Sequence, residues 1–420
     1  MVSSILVALL GFSCIFILFD AYLNKDKSII WSPITFIVLT ILYYWVMPEY
    51  FSSREFEGYN VSQYSLYFHI GAILSFVSIL FGFYKIKPIR STNWNNWNNY
   101  FTSKNVKKIG VIFFMIALAC YIPFRGFHFS IFVSDNNLQE FEYENVGLDY
   151  YFVNSIAILC FACCLLLLNW KKNKLLFSVI LWLTLVTFIV AGFRYRIVIL
   201  VISMFSVYHL YNGIKKIRLI PLVLIALLCY TGFNIMDKAR NYGNGIRLDL
   251  IKTMDKKELT EQAAETERVY NYSIMVMNGY AESEYRVYFD PLLTAICIPI
   301  PRAIFPWKPD ASYMREATNI AMKQGGSGSV YVNFVEAFMA FGWIGIIING
   351  LFIGFLSRKF WDNYRNNPNS IGAILALSLY NGLTYVIISR GYLAQEFSCF
   401  LYYIIVPFLL ASFLVKKIKI

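Results

Sequence analysis

The sequence predicts an all-α protein that crosses a membrane many times, and three observations support this fold class. Hydrophobic residues make up 58% of the 420 residues, whereas charged residues make up only 15%. Apolar runs of roughly 16–25 residues recur from end to end, which is the length that a helix needs to cross a bilayer. The lysines and arginines fall mostly between these runs, as they do in multi-pass membrane proteins.

The apolar runs predict about eleven transmembrane helices. These spans lie at roughly 2–23, 29–47, 64–84, 109–124, 150–169, 175–192, 197–211, 219–236, 330–356, 370–388 and 397–415. The first span lacks the basic start and the cleavage pattern of a signal peptide, so we expect it to be retained. A further apolar piece, Val287 to Ile300, is either a re-entrant or interfacial segment or a true span, and a true span there would change the parity of the span count.

The distribution of charge predicts the orientation of the chain. Six segments hold 20 of the 37 lysines and arginines but only two acidic residues; they are 24–28, 85–108, 171–174, 212–218, 357–369 and the tail after Val415. Segments of this kind are cytoplasmic, which puts the C-terminus in the cytoplasm and the N-terminus on the opposite side. The sequence therefore predicts one integral domain, 1–420, with a large outer loop at 237–329 between spans eight and nine. A helix following Asp255 is predicted within that loop.

Composition also excludes several classes of function. The net charge of +12 follows the membrane topology, so it does not indicate nucleic-acid binding. The eight cysteines lie in or beside apolar runs without metal-ligand spacing to histidine, which predicts free thiols. The absence of Walker A, HExxH, GxSxG and Asp-x-Asp motifs argues against ATP-driven transport and against cytosolic nucleotide-sugar transferases. We expect no metal and no cofactor.

A set of basic residues shares one predicted depth, at the outer ends of separate spans. Its members are Arg125, Arg194, Arg196, Lys238, Arg240, Arg302, Lys308 and Arg390. The positive-inside rule predicts few such residues on this side, and arginine suits bidentate contacts with phosphate. As a group they favour an anion site, although each one alone is equally explained as an anchor that reaches lipid phosphates.

Candidate catalytic bases are fewer. Glu336 lies inside span nine, where a carboxylate is costly unless it is partnered or hydrated, so it is either a base or an ion-pair partner of one of the arginines. His128, in "RGFHF" on the outer side, is the second candidate. Glu396 is expected to form a salt bridge with Arg390, and His69 is expected to be a packed histidine within span three.

The segment that leads into span nine is rigid and basic. Its four prolines, Pro299, Pro301, Pro306 and Pro309, prevent an ordinary helix. A Gly/Ser turn from Gly325 to Ser329 then leads into the apolar run. The segment is thus predicted to present Arg302 and Lys308 at the mouth of a membrane helix.

Three stretches of the chain resemble the Wzy-like oligosaccharide repeat-unit polymerases. They are "AGFRYR", "PRAIFPWKP" and "VYVNFVEAFMAFGWIGIIINGLFIGFL", the last entered from the Gly/Ser turn. The resemblance covers the C-terminal two thirds of the chain and is best in residues 299–350. The first 110 residues resemble the family only as hydrophobic spans.

The resemblance implies a GT-C-like, all-helical glycosyltransferase of the bacterial inner membrane that makes O-antigen or capsule. Such enzymes move a growing glycan from undecaprenyl diphosphate to the non-reducing end of the next lipid-linked repeat unit, on the periplasmic side. By this resemblance Arg194, Arg196, Arg302 and Lys308 would bind the diphosphate, with Arg390, matched less securely, assisting. A chain-length regulator and a flippase are the implied protein partners.

Two other functions stay open at the level of sequence. An O-antigen ligase uses the same donor but transfers the glycan to lipid A core, and usually depends on a histidine in the large outer loop. Residues 237–329 contain no histidine. A flippase or transporter of lipid-linked oligosaccharide should show internal repeats and charges deep in the spans. Neither feature is present in this sequence.

Overall fold

The computed structural model describes most of the chain between residues 2 and 417. The residues within this range that it does not describe are 25, 52–54, 57–58, 87–99, 103–104, 126–131, 134–148, 214–239, 242–244, 248–263, 303, 310–311 and 323–329. Predicted span 219–236, the start of the predicted loop helix at Asp255, and His128 all lie outside the described residues.

The N-terminal part forms four helices and a short hairpin. The elements are α1 (Val2–Leu23), α2 (Pro33–Ile41), α3 (Met47–Phe51), β1 (Glu55–Phe56), β2 (Tyr59–Asn60) and α4 (Ser65–Tyr84). A π-helical segment, Leu42–Val46, joins α2 to α3 into one continuous helix. Pro48 lies two residues after this segment. It has no N–H to donate to the carbonyl four residues earlier, which accounts for the local widening of the helix.

The middle of the chain forms five helices and three very short strands. They are α5 (Val106–Arg125), β3 (Phe132–Val133), α6 (Asp149–Asn154), α7 (Ala157–Leu167), α8 (Lys174–Val190), α9 (Arg194–Tyr211), β4 (Arg240–Asn241) and β5 (Gly245–Arg247). Strand β5 pairs with β3 in parallel and with β4 antiparallel. These strands are too short to change the helical character of the fold.

The C-terminal part forms seven helices joined by turns, with no strand among its described residues. It contains α10 (Ala264–Glu282), α11 (Asp290–Cys297), α12 (Ser312–Met322), α13 (Asn333–Asn366), α14 (Ile371–Ser389), α15 (Leu393–Phe400) and α16 (Val406–Lys417). A second π segment, Leu401–Ile405, joins α15 to α16 just before Pro407. Helix α13 is broken at Phe341 and Gly342, which have non-helical backbone angles.

Seven helices among the described residues are long and apolar enough to cross a membrane, and two shorter apolar helices accompany them. This confirms a multi-pass, all-helical membrane protein; the count of eleven spans stays a prediction. The structure differs from the prediction at 150–169, where one helix was expected and two are found. Ser155 separates them, because its hydroxyl donates to the carbonyls of Phe152 (2.5 Å) and Ala117 (3.1 Å).

One other predicted boundary was wrong. Arg194 and Arg196 were placed in a link between spans, but they form the first turn of α9. Gly192, with φ of 79°, makes the turn that ends α8 at Val190, so α9 can begin at Arg194. The 287–300 piece contains only the eight-residue helix α11, which is about 12 Å long and cannot cross a bilayer.

The chain divides into two compact units. Unit 1 comprises residues 1–91, 265–366 and 383–398, and unit 2 comprises residues 92–264, 367–382 and 399–420. In unit 2, Gly382 of α14 packs against α9 so closely that a Cβ atom there would lie 2.7 Å from the Ile199 carbonyl oxygen. The prediction of a single integral domain with a loop at 237–329 stays a prediction.

Unit 1 is built around a close contact between α4 and α13. A Cβ at Gly82 of α4 would lie 2.5 Å from the Leu351 carbonyl oxygen of α13, and a Cβ at Gly350 of α13 would lie 2.6 Å from Cβ of Ser78 in α4. A Cβ at Gly354 would collide with the backbone of Ile79. Small residues spaced four apart are the usual device for close helix packing in membranes.

We predict that Gly354→Val destabilises the α4–α13 contact by about 1–3 kcal/mol or more, because the added atoms meet backbone that cannot move aside. The measurement is the apparent melting temperature of the purified protein in detergent. Ile348→Val on the lipid-facing side of the same helix is the control, since Ile348 is 59% exposed. Equal melting temperatures for the two variants would contradict the glycine contact.

Candidate active site

Glu336 lies in the first turn of α13 and is buried, with 5% of its surface exposed. One carboxyl oxygen, Oε1, accepts a hydrogen bond from the Tyr313 hydroxyl at 2.6 Å. The other, Oε2, accepts one from the backbone N–H of Leu393 at 2.8 Å. Of the two alternatives for Glu336, a base or the ion-pair partner of an arginine, the described contacts show no arginine. Each oxygen keeps one lone pair for a further donor.

The position of Leu393 depends on the turn between α14 and α15. Leu393 is the first residue of α15, so its N–H has no partner within the helix, and Glu336 supplies one. Gly391 donates its N–H to the Tyr331 carbonyl at 2.5 Å. A Cβ at Gly391 would lie 2.6 Å from the Tyr331 ring, so only glycine lets this turn approach. Arg390 lies half-buried in the same turn.

A second carboxyl group lies beside the first. Glu396 accepts a hydrogen bond from the Asn333 amide at 2.7 Å, and Asn333 in turn accepts one from Asn349. The salt bridge between Glu396 and Arg390 stays a prediction, and the partner of Glu396 that the structure shows is the Asn333 amide on α13. Polar groups from α12, α13 and α15 therefore enclose the two carboxyl groups.

Tyr313 is suited to be a donor to Glu336. It lies on α12 with 1% of its surface exposed. Burial and the nearby Glu336 carboxylate raise the pKa of the Tyr313 phenol far above its usual range. The hydroxyl therefore stays protonated and donates its hydrogen bond at any physiological pH.

The second centre is Arg196, in unit 2. Its side chain is 3% exposed, and its Nη2 donates to the Asn154 side-chain oxygen at 2.9 Å. The guanidinium lies over the rings of Phe193 and Tyr195, at 5.4 and 5.5 Å from their centroids. Arg194, two residues earlier in the same helical turn, is also buried, with 6% of its surface exposed.

Two nitrogens of Arg196, Nε and Nη1, are buried without a hydrogen-bond partner in the described part of the chain. The hydroxyl of Tyr403, which lies near enough to feel the Arg196 charge, is likewise buried and unbonded there. A buried donor left unsatisfied costs about 1–3 kcal/mol, and more when it is charged. This centre therefore has cationic and hydroxyl donors to offer an anion.

A second group of basic residues lies in the proline segment of unit 1 and consists of Arg302 and Lys308. Lys308 Nζ donates to the carbonyls of Ile300 (3.0 Å) and Ile298 (3.4 Å), and Arg302 Nη1 donates to that of Pro306 (3.3 Å). Partial burial and the nearby Arg302 charge lower the pKa of the Lys308 ammonium. No described carboxylate forms a salt bridge with either residue, so the pair keeps its positive charge uncompensated among the described residues.

A family model described as O-antigen polysaccharide polymerase Wzy matches residues 1–419 of the chain. The chain belongs to this family. Comparisons with curated proteins and with solved structures gave no match. The resemblance seen in the sequence is confirmed, and the Wzy match also includes the first 110 residues, where no sequence motif pointed to it.

The remaining predicted residues of this Wzy-family chain lie in three places. Arg125 is the last residue of α5 and Arg240 begins β4, both in unit 2. Arg390 shares the α14–α15 turn with the Glu336 contacts in unit 1. The structure thus brings Glu336, Tyr313 and Glu396 together, and Arg194 and Arg196 together. The assignment of all these residues to a site stays a prediction.

A third polar network in this Wzy-family protein was missed by the sequence reasoning. His69, treated as a packed histidine, bonds through Nε2 to the Tyr270 hydroxyl at 2.8 Å, and that hydroxyl donates to Glu49 at 2.7 Å. On its other side, His69 Nδ1 contacts Ser3, which lies 2.8 Å from Ser65. His69, Tyr270 and Glu49 are all at most 5% exposed. Their separation in sequence left no local signal for the network.

Within the described residues no group of three or more His, Cys, Asp or Glu side chains could hold a metal ion.

We predict that Tyr270→Phe destabilises the protein by about 1–3 kcal/mol, because it removes the hydroxyl that links two buried titratable groups. Apparent melting temperature in detergent measures the change. Tyr285→Phe is the matched control, because the Tyr285 hydroxyl bonds Glu316 at the exposed surface, where such a change is worth less than about 0.5 kcal/mol. A Tyr270 variant as stable as the Tyr285 variant would contradict the network.

Proposed function

We propose that this chain polymerises undecaprenyl-diphosphate-linked oligosaccharide repeat units. It transfers the growing glycan from its lipid diphosphate to the non-reducing end of the next lipid-linked unit, at the periplasmic face. The family match supports the reaction class, since its description names an O-antigen polysaccharide polymerase. A capsule polysaccharide would require the same chemistry.

The observation that carries the proposal is the buried guanidinium of Arg196. Its two unbonded nitrogens lie among aromatic side chains, where little water screens their charge. A diphosphate offers several anionic oxygens that would accept from these donors, in the planar geometry that guanidinium groups favour. Catalysis follows if these contacts strengthen as negative charge develops on the departing diphosphate.

The other basic residues that the sequence places at the outer ends of the spans are also assigned to diphosphate binding. Arg194 shares the first helical turn with Arg196, and the positive end of the α9 dipole lies at the same turn. Arg302 and Lys308 bring a pair of cations with no described acidic partner. Arg390 is assigned to diphosphate binding by its less secure match to the family, and Arg240 and Arg125 are assigned from their predicted depth alone.

The proposed reaction is a single displacement at the anomeric carbon. The acceptor hydroxyl oxygen forms the new C–O bond, while the bond from the anomeric carbon to the diphosphate oxygen breaks and the diphosphate leaves with the electron pair. Glu336 takes the hydroxyl proton, and Tyr313 and the Leu393 N–H hold its carboxyl group in place. His128 is the alternative base. The step needs no metal, nucleotide or cofactor.

The proposal also specifies location and partners. The family resemblance implies a protein of the bacterial inner membrane, and the basic links predict that its C-terminus lies in the cytoplasm. Lipid-linked units must first reach the periplasmic face, which requires a flippase, and polymer length would be set by a separate regulator. The helical architecture is consistent with a GT-C-like glycosyltransferase.

We predict that Arg196→Gln lowers polymerisation by about 100-fold or more, as loss of a buried donor to transition-state charge does. The assay is reconstitution with the lipid-linked repeat unit alone, read on a gel as a ladder of chain lengths. Arg358→Gln is the matched control, because Arg358 already pairs with Asp362 at 2.8 Å. A normal ladder from the Arg196 variant, at equal protein level, would remove this residue from the site.

We predict that Glu336→Gln lowers kcat by about 100-fold or more while changing KM little, because general-base catalysis contributes that range. The amide oxygen can accept from the Leu393 N–H while the amide nitrogen donates to the Tyr313 hydroxyl, which can rotate, so the fold should survive. Glu282→Gln, on the surface end of α10, is the control. Unchanged turnover would dismiss Glu336 as the base and direct attention to His128.

A further inference from the structure

Helix α11 exposes its apolar face. Phe289, Leu292, Leu293 and Ile296, spaced as one helical stripe, are 46–58% exposed, whereas Pro291, Thr294 and Ala295 are buried against unit 1. In a water-soluble protein the stripe would face the core instead. An exposed apolar stripe on a short helix therefore requires an apolar environment outside the protein.

The break in α13 fixes the depth of α11. The Val287 N–H, just before α11, donates to the Met339 carbonyl at 3.1 Å, and the rings of Phe289 and Phe341 lie 5.1 Å apart. Beyond the break, α13 exposes Ile344 and other large apolar side chains, as a lipid-facing helix does. Helix α11 thus begins at the level where the lipid-facing surface of α13 begins.

The proline turn after α11 adds features of a membrane interface. Ile304 and Trp307 are 75% and 83% exposed. Tryptophan is enriched where lipid headgroups meet the hydrocarbon. Arg302 and Lys308 lie in the same turn and are bonded only to backbone carbonyls among the described residues. Their charge is complementary to a layer of lipid phosphates.

We propose that α11 and the proline turn 298–309 form an interfacial membrane anchor, with phospholipid as the occupant of the apolar stripe. The helix lies along the leaflet on the side of the large loop, with its stripe among the upper acyl chains. Arg302 and Lys308 contact lipid phosphates. The apolar part of the anchor requires only that the chain crosses a membrane. Its cations are the two that the proposed function assigns to the substrate diphosphate, so the test is run without prenyl lipid to separate the two sources of phosphate.

The test places the photocrosslinking residue benzoylphenylalanine at Leu293 or Ile296 of the full chain. The protein is reconstituted in discs of phosphatidylethanolamine and phosphatidylglycerol that contain no prenyl lipid, irradiated, and analysed by mass spectrometry. Glu284, exposed on the connection before α11, is the control position. We expect phospholipid adducts at Leu293 and Ile296 in about tenfold excess over Glu284, given the apolar insertion of such helices.

A second arm tests the cations. The double variant Arg302→Gln/Lys308→Gln should lower the share of anionic lipid among the adducts without lowering their total, whereas Arg315→Gln on α12, an exposed arginine, should change neither. An unchanged share would overturn the phosphate contact. Equal yields at Leu293 and Glu284, adducts only to protein, or adducts that form only after a prenyl diphosphate is added would overturn the anchor.

Discussion

The contact between α4 and α13 is the constraint on which unit 1 depends. Lipid tails are as apolar as the side chains they touch, so helices in a membrane gain little from burying apolar surface and must associate by close packing. Gly82, Gly350 and Gly354 allow that packing because they carry no Cβ. Helix α13 carries Glu336 in its first turn, and α4 carries His69. A shift of one helix past the other would therefore move both polar networks.

A second constraint is that backbone groups in a bilayer must find partners inside the protein. At the break in α13 the Met339 carbonyl accepts from Val287, and at the start of α15 the Leu393 N–H donates to Glu336. Each interruption of a helix is thus matched by a group from a distant segment. In the second case the matching group is the carboxylate proposed as the base, so its structural and chemical roles share one geometry.

The basic residues fall into two physical classes. Arg196 is desolvated and surrounded by aromatic rings, so an anion beside it would interact at low dielectric. Arg302 and Lys308 are half-buried, bond backbone carbonyls and remain partly hydrated, so salt screens them more effectively. The membrane depth predicted from the sequence could not separate these two classes, because all three residues lie at the ends of apolar runs.

The sequence by itself determined the membrane class and most of the helices, because the length of an apolar run and the placement of lysine and arginine are local properties. It also pointed to the family through short stretches around Arg194 and Pro301. Only the tertiary structure decided what the polar residues contact. His69 and Tyr270 are 201 residues apart, and Glu336 meets Leu393 from 57 residues away. Such pairs leave no periodic trace in the chain, since a buried hydrogen bond depends on how helices pack and not on which residues are neighbours in sequence.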